Sequence, residues 1–357
     1  MSAIATRDDQ GTRIEEALRL RFAERRHAAE AYGEPFAGLW RSASEHALGG
    51  KLIRPRLLLD IHRALSSSSE GSDADTVIGI AAEVELLHYA FLLHDDVIDG
   101  DLYRRRRPNL IGTLAADRSL DAADLHWARS SAILMGDLLL ATSILGFARA
   151  RVSSAARGRL LDLIEHTIVE TVAGEHIDVG LADGVIVPDL RTILAMSTYK
   201  TATYSFSLPL RAAAILADAS VEVEDDLAAI GAHLGLAFQL QDDLLCIFGD
   251  AEAHGKDAFS DLREGKETAI VAYARMTPSW AQLAPRFGAA DLSTDEGLGM
   301  RALLRESGAE GFVQSLVTDE LAAASEILRG AEETRTLSGD VVTCLHTLLD
   351  RVEGRRS

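Results

Sequence analysis

Apolar residues recur along most of this chain at three- and four-residue intervals, the period of an α-helix, and no stretch sustains the alternation of a β-strand. A charged amphipathic helix is predicted from Thr12 to Tyr32, with Ile14, Ala17, Leu18 and Phe22 on its apolar side. After a break at Gly33 to Pro35 a second helix carries Phe36, Leu39 and Trp40. Residues 80–93, IAAEVELLHYAFLL, hold no breaker and predict a buried helix. Further helices are predicted over 128–149, 156–178, 190–216 and 225–248, followed by shorter ones with acidic faces. Two polar stretches read as loops: SSSSEGSDAD at 66–75, and GDAEAHGKDAFSDLREGKET at 249–268, which is long enough to form a lid. The pattern predicts one all-α domain over residues 12–357, a large helical bundle, with residues 1–11 disordered. A composition of 47% hydrophobic residues, 5% aromatics and seven prolines agrees with packed helices.

Charge narrows the partners. A formal net charge of -19 repels nucleic acid and anionic membrane surfaces, so an anionic ligand needs a local basic cluster or metal ions. The two cysteines, Cys246 and Cys344, are too few for a disulfide framework and suit a reducing cytoplasm. The N-terminus lacks the regions of a signal peptide. The longest apolar stretch, 132–148, is interrupted by Asp137 and falls short of the ~20 residues of a membrane span. A cytoplasmic protein without a transmembrane segment is expected.

The chemistry centres on HDDVIDGDLYRRRRP at 94–108. Asp95, Asp96, Asp99 and Asp101 fall within seven residues and are followed at once by Arg104, Arg105, Arg106 and Arg107. A helix stacks Asp95 over Asp99 on one face, with Asp96 at its edge, and like charges so placed cost roughly 0.2–0.5 kcal/mol per pair. A bound cation explains the cluster better than a solvated loop does.

Phe238-Gln239-Leu240-Gln241-Asp242-Asp243 again closes an apolar helix with adjacent aspartates. Two such helix ends, facing one another across the mouth of a helical cavity, would clamp metal. Mg²⁺ prefers a few carboxylates, water and phosphate oxygens, so the ligand should carry at least two phosphates. Lys51, Arg54, Arg104, Arg105, Lys200, Lys256 and Lys266 supply charge-assisted contacts for it. Lys200 stands alone among apolar residues, either snorkelling at a helix edge or facing an anion. Asp137, within an apolar helix, asks for a partner. The Ala, Leu and Phe content of the helices implies a hydrocarbon remainder of the substrate.

These motifs resemble those of the trans-isoprenyl diphosphate synthases: DDxxD with Arg-Arg beyond it, Gly-Gly-Lys-x-x-Arg-Pro at 49–55, Gly136-Asp137, Lys200-Thr201, Phe238-Gln239 with Asp242-Asp243, and Gly255-Lys256 to Gly265-Lys266. The ordered set spans residues from about 45 to 270. The resemblance implies an all-α isoprenoid synthase fold around a central cavity, usually a homodimer. It implies that Asp95 and Asp99, supported by Asp96, hold Mg²⁺ on an allylic diphosphate, and that Asp242, beside Asp243, holds a further ion, three in all. Arg104, Lys200, Gln239, Lys256 and Lys266 would contact that diphosphate, and Thr201 would lie beside the developing cation. Isopentenyl diphosphate would rest on Lys51, Arg54, His88 and Arg105. Ionisation of the allylic substrate, attack by the isopentenyl double bond and loss of a proton would follow.

In similar enzymes bulky residues one turn before the first aspartate stop the growing tail. Ala90 opens that position and Phe91 narrows it, which favours a twenty-carbon product, geranylgeranyl diphosphate, over a fifteen-carbon one. Two positions depart from the family pattern: Cys246 replaces the usual third Asp of the second motif, and Arg106 stands where Gly is usual. Rival readings are a farnesyl or longer-chain synthase, a class I terpene cyclase, a non-catalytic subunit of a heteromeric synthase, and a di-iron bundle built on Glu85-x-x-His88 and Glu24-x-x-His27.

Overall fold

The computed structural model describes residues 7–66, 73–104, 107–116, 122–249 and 259–354. The described residues are almost entirely helical and group into two compact units, residues 1–164 with 209–220 and residues 165–208 with 221–357.

In the first unit α1 (Arg7–Ala29) starts five residues ahead of the expected Thr12, within the segment expected to be disordered. It is followed by α2 (Glu34–Ala47), α3 (Ile53–Ser66) and α4 (Ala74–Ile98). The central element is α4, whose N-terminus is capped by Asp73 accepting from the Thr76 amide at 2.8 Å. Its side chains are buried on nearly every face, including Ile80, Ala81, Leu86, Leu87 and Ala90, so it shows no single apolar stripe. A short antiparallel pair joins Tyr103–Arg104 to Arg107–Pro108, and α5 (Leu110–Ala115) and α6 (Ala122–Ala148) follow. Helix α6 lies antiparallel along α4: a Cβ at Gly136 would come within 2.5 Å of His94 Nε2, and one at Gly146 would overlap the Glu83 carboxyl.

Helix α7 (Ser154–Ala182) begins in the first unit and continues into the second. The helix expected over 190–216 is instead three pieces: α8 (Leu190–Ser197), a π-helical segment (Thr198–Ser207) and α9 (Leu208–Leu216). The wider π turn accommodates two close backbone approaches, Gly174 of α7 against Lys200 and Gly235 against Ala202. Gly235 belongs to α10 (Val221–Phe248), the core helix of the second unit, with Leu227, Ile230, Leu234, Ala237 and Leu240 buried. Beyond it come α11 (Ser260–Glu264), α12 (Ala269–Arg275), α13 (Trp280–Leu283), α14 (Thr294–Glu306), α15 (Ala309–Thr334) and α16 (Gly339–Glu353). At 26 residues α15 exceeds the short helices expected there, and it packs against α10.

Two helices, Ala74–Ile98 and Leu125–Ala148, are long and apolar enough to cross a membrane by length and composition, contrary to the sequence expectation for the second. The first is mostly buried inside the protein, as a core helix is.

Candidate active site

The first aspartate cluster sits on the C-terminal turn of α4. The Asp99 amide bonds the Asp95 carbonyl, Gly100 adopts φ +74°, and the Asp101 amide returns to the Asp96 carbonyl, a Schellman stop. A helix C-terminus already carries partial negative charge, so carboxylates collected there demand a cation more strongly than spacing alone suggests. Arg104 supplies one: its Nη2 donates to Asp96 Oδ1 at 2.6 Å and to Asp95 Oδ2 at 3.1 Å, and its Nε to Asp96 Oδ1 at 3.1 Å. Asn109 holds the connecting segment in place, donating to the Asp101 carbonyl at 2.8 Å and capping α5. Asp96 is buried, Asp95 is partly accessible and Asp99 is exposed, which makes Asp95 and Asp99 the accessible pair and Asp96 the inner one. Burial pushes the Asp96 carboxyl up to about 6, with Arg104 opposing and Asp95 and Asp101 adding. Below it the buried Tyr89 hydroxyl has no hydrogen-bond partner among the described residues.

One turn deeper than Asp95, Ala90 is fully buried and Phe91 partly buried. His88 is partly buried two turns below. The Gly-Gly turn lies against the same helix, since a Cβ at Gly50 would stand 3.6 Å from Glu85 Oε1. Gly49 (φ +83°) and Leu52 (φ +50°) set this turn, leaving Lys51 exposed and Arg54 partly buried in the first turn of α3. Asp137 finds its partner in His94, whose Nε2 lies 3.2 Å from Asp137 Oδ1. It is 62% exposed, so the apolar run did not mark it as a buried charge.

In the second unit Lys200 is clamped by α7. Its Nζ lies 2.7 Å from Asp178 Oδ2 and 2.9 Å from Glu175 Oε2, and three residues on Thr203 donates to Glu170 Oε2 at 2.7 Å. Positions 170, 174, 175 and 178 share one face of α7, so the helix period alone aligns them with the π segment. Lys200 is therefore held in place and is not a snorkelling edge residue. Thr201 beside it is partly buried.

On α10 the side chain of Gln239 donates to Asp243 Oδ1 at 2.8 Å, one turn on. Asp242 is partly accessible while Asp243 is buried. Burial pushes the Asp243 carboxyl up to about 8; the Asp261 charge adds to this, while Gln239 and Lys266 oppose it. Cys246 is buried, with Sγ 3.5 Å from Ser260 Oγ, and burial raises its thiol to about 12, an inert state. Asp261, at the start of α11, thus brings to this cluster a carboxylate that position 246 lacks. Asp261 falls in the polar stretch 249–268, where lid length and the glycine-lysine pairs are the features the sequence makes evident. Arg105, Arg106 and Lys256 lie outside the described residues.

Among the described residues no three metal-ligating side chains converge. The partly accessible Asp95 and exposed Asp99 of the first cluster, and separately the partly accessible Asp242 of the second, are oxygen donors of the kind a hard divalent ion takes alongside phosphate and water.

A family model for polyprenyl synthetase matches residues 39–295. A short chain isoprenyl diphosphate synthase of Methanothermobacter thermautotrophicus is 31% identical over 299 residues, covering 82% of this chain and 84% of the relative. A (2E,6E)-farnesyl diphosphate synthase of Mycobacterium bovis is 34% identical over 224 residues, covering 63% of this chain and 56% of that relative. Among solved structures, a geranylgeranyl pyrophosphate synthase of Corynebacterium glutamicum complexed with isoprenyl diphosphate and magnesium superposes with a TM-score of 0.89 at 26% identity, over 98% of this chain and 99% of that one.

Proposed function

This chain belongs to the polyprenyl synthetase family, a family of prenyltransferases that use divalent metal and isoprenyl diphosphates, and on that premise we propose that it makes geranylgeranyl diphosphate. It is a trans-prenyl diphosphate synthase; the product is the part proposed. The observation that carries the proposal is on α4: the accessible carboxylates of Asp95 and Asp99 cap a buried helix whose next deeper turn bears Ala90 beside Phe91. An alanine there leaves room for a tail longer than fifteen carbons, while Phe91 narrows that room.

In this reading Asp95 and Asp99 would hold Mg²⁺ for the allylic diphosphate, Asp96 would fix their arrangement, and Asp242, with Asp243, would hold a further ion, with three ions proposed in all. Bound Mg²⁺ neutralises the diphosphate oxygens and so favours departure of the diphosphate. Arg104, Lys200, Gln239, Lys256 and Lys266 bind that leaving group; Asp178 and Glu175 keep Lys200 on station, which supports its role as a preorganised cation. Lys51, Arg54, His88 and Arg105 orient isopentenyl diphosphate so that its double bond meets the allylic carbon, and the Thr201 hydroxyl lies beside the charge formed there. The apolar side chains of the tail site exclude water, which would otherwise turn the allylic cation into an alcohol.

A homodimer fits the exposed stripe on α6, where Trp127, Leu134 and Leu145 stand seven and eleven residues apart on one face with Ile133 and Ile144 beside them. Sizing the product made from isopentenyl diphosphate and each allylic primer tests the product assignment. A twenty-carbon chain supports it, and a fifteen-carbon or much longer chain overturns it.

A further inference from the structure

Glu83 is a charged residue in the core of the first unit. It lies on α4 twelve residues before Asp95, ~18 Å along the helix axis, and seven residues before Ala90, ~10.5 Å or two turns, on the same face as Ala90. Its relative exposure is 2%, and its Oε2 has no hydrogen-bond partner among the described residues. Its Oε1 accepts from Arg21 Nε of α1 at 2.9 Å. From α6, Ser143 Oγ donates to the Glu83 carbonyl at 3.0 Å, and Gly146 leaves the space that the carboxyl fills. Between the levels of Ala90 and Glu83 the buried residues of α4 and α6 are apolar or small, among them Leu87, Leu139 and Ser143. Glu83 borders a cleft of about 290 Å³ whose lining is strongly charged, with Arg21, Arg25, Arg149 and Arg151 beside Glu24 and Asp75.

A buried carboxylate with an unpaired oxygen is an unfavourable neighbour for a hydrocarbon, and so is the charged cleft it borders. We propose that the Glu83–Arg21 ion pair is the polar floor of the tail site, the lower limit of chain growth once the tail has passed Ala90 and Phe91. This rests on the synthase reading and adds a specificity residue two turns below the position from which product length is usually argued. A purely structural ion pair tying α1 to α4 would leave tail length unaffected.

Binding separates the two without catalysis. Prenyl diphosphates of fifteen, twenty, twenty-five and thirty carbons are titrated calorimetrically, without isopentenyl diphosphate, into Phe91→Ala and into Phe91→Ala/Glu83→Ala. Arg21 is partly exposed and stays hydrated when its partner is removed, and Phe91→Ala/Glu83→Ala/Arg21→Ala serves as a second variant. Affinity should stop rising with length in Phe91→Ala and keep rising in the Glu83 variants, with the thirty-carbon ligand bound at least ~10-fold more tightly. Phe91→Ala/Glu83→Gln, which keeps the volume and a polar group, should restore the limit. Identical length profiles in all variants overturn the floor while leaving condensation by the parent chain, and so the synthase reading, intact. If the parent chain performs no condensation but the length step appears, the synthase reading falls and the floor stands.

Discussion

Arg104 lies against Asp96 through both its Nε, at 3.1 Å, and its Nη2, at 2.6 Å, and with the same Nη2 reaches Asp95 at 3.1 Å. A residue proposed to bind the substrate diphosphate is thus hydrogen-bonded to two of the acids proposed to hold metal. On the proposed reading Arg104 would give up Asp95 to a bound ion and turn to the diphosphate. Arg104→Ala should therefore bind Mn²⁺ more tightly than the parent when substrate is absent. It should also lose kcat/KM by roughly 10- to 100-fold, since a hydrogen bond to a charged group contributes about 1.5–3 kcal/mol. Titration of Mn²⁺ by electron paramagnetic resonance reads the first effect and steady-state kinetics the second. An unchanged Mn²⁺ affinity would show that Arg104 does not compete for the aspartates.

Asp243, whose carboxyl is pushed up to about 8, gives the metal-free protein a pH signature. An unfolded aspartate ionises near ~3.9. Between that value and about 8 the folded chain retains a proton that the unfolded chain has lost, so this contribution to stability is complete at low pH and disappears as pH rises through 8. Asp96 acts with the same sign over the narrower window that ends at about 6. Asp243→Asn keeps the shape and the Gln239 contact, and should flatten the fall in melting temperature between pH 6 and 8.5. Parallel curves for the two proteins would contradict this. Mg²⁺ binding in the same range should release protons, seen as a buffer-dependent heat in calorimetry.

Ala90 is fully buried, and Phe in its place must occupy the volume proposed for the growing tail. Ala90→Phe should shift the product from twenty carbons to fifteen or fewer, at a stability cost of ~1–3 kcal/mol from overpacking. Chromatographic sizing of the dephosphorylated product checks the first, and denaturant titration the second. An unshifted product length would move the control of length elsewhere on α4.

Lys200 lies between Asp178 and Glu175, and all three side chains are mostly buried. Lys200→Ala leaves two carboxylates facing each other without a cation and should cost about 3–5 kcal/mol of stability, with a raised KM for the allylic primer. Adding Asp178→Asn should recover much of the stability and none of the primer affinity. Recovery of both would reduce Lys200 to a structural role.

What the sequence made legible, and what it did not, follows from how each feature is encoded. The burial of α4 and the stacking of its aspartates depend only on apolar content and helical period, and both were read from residues 80–99. The sequence reads as plain helix over 198–207, because a π turn leaves no mark on composition; the segment lies against Gly174 and Gly235, two glycines distant in sequence. The orientation of Arg104 toward Asp96 and the proximity of Asp261 to Asp243 are products of tertiary packing, invisible to a linear pattern. Asp137 was expected to need a partner, and His94 meets that need from a neighbouring helix that spacing alone could not identify. The 26-residue α15 packs against α10, a tertiary partner that its mixed acidic surface does not reveal in the sequence.

On the proposed reading this chain joins isopentenyl diphosphate to an allylic diphosphate with the help of a divalent metal. The most direct test is incorporation of labelled isopentenyl diphosphate into an acid-stable prenyl diphosphate by the purified protein with Mg²⁺, repeated with a chelator in place of the metal and with Asp95→Ala. The prediction is incorporation with at least one allylic primer, abolished by the chelator and reduced at least ~100-fold in Asp95→Ala. No incorporation with any primer, or release of a cyclic hydrocarbon in place of a longer diphosphate, would contradict it.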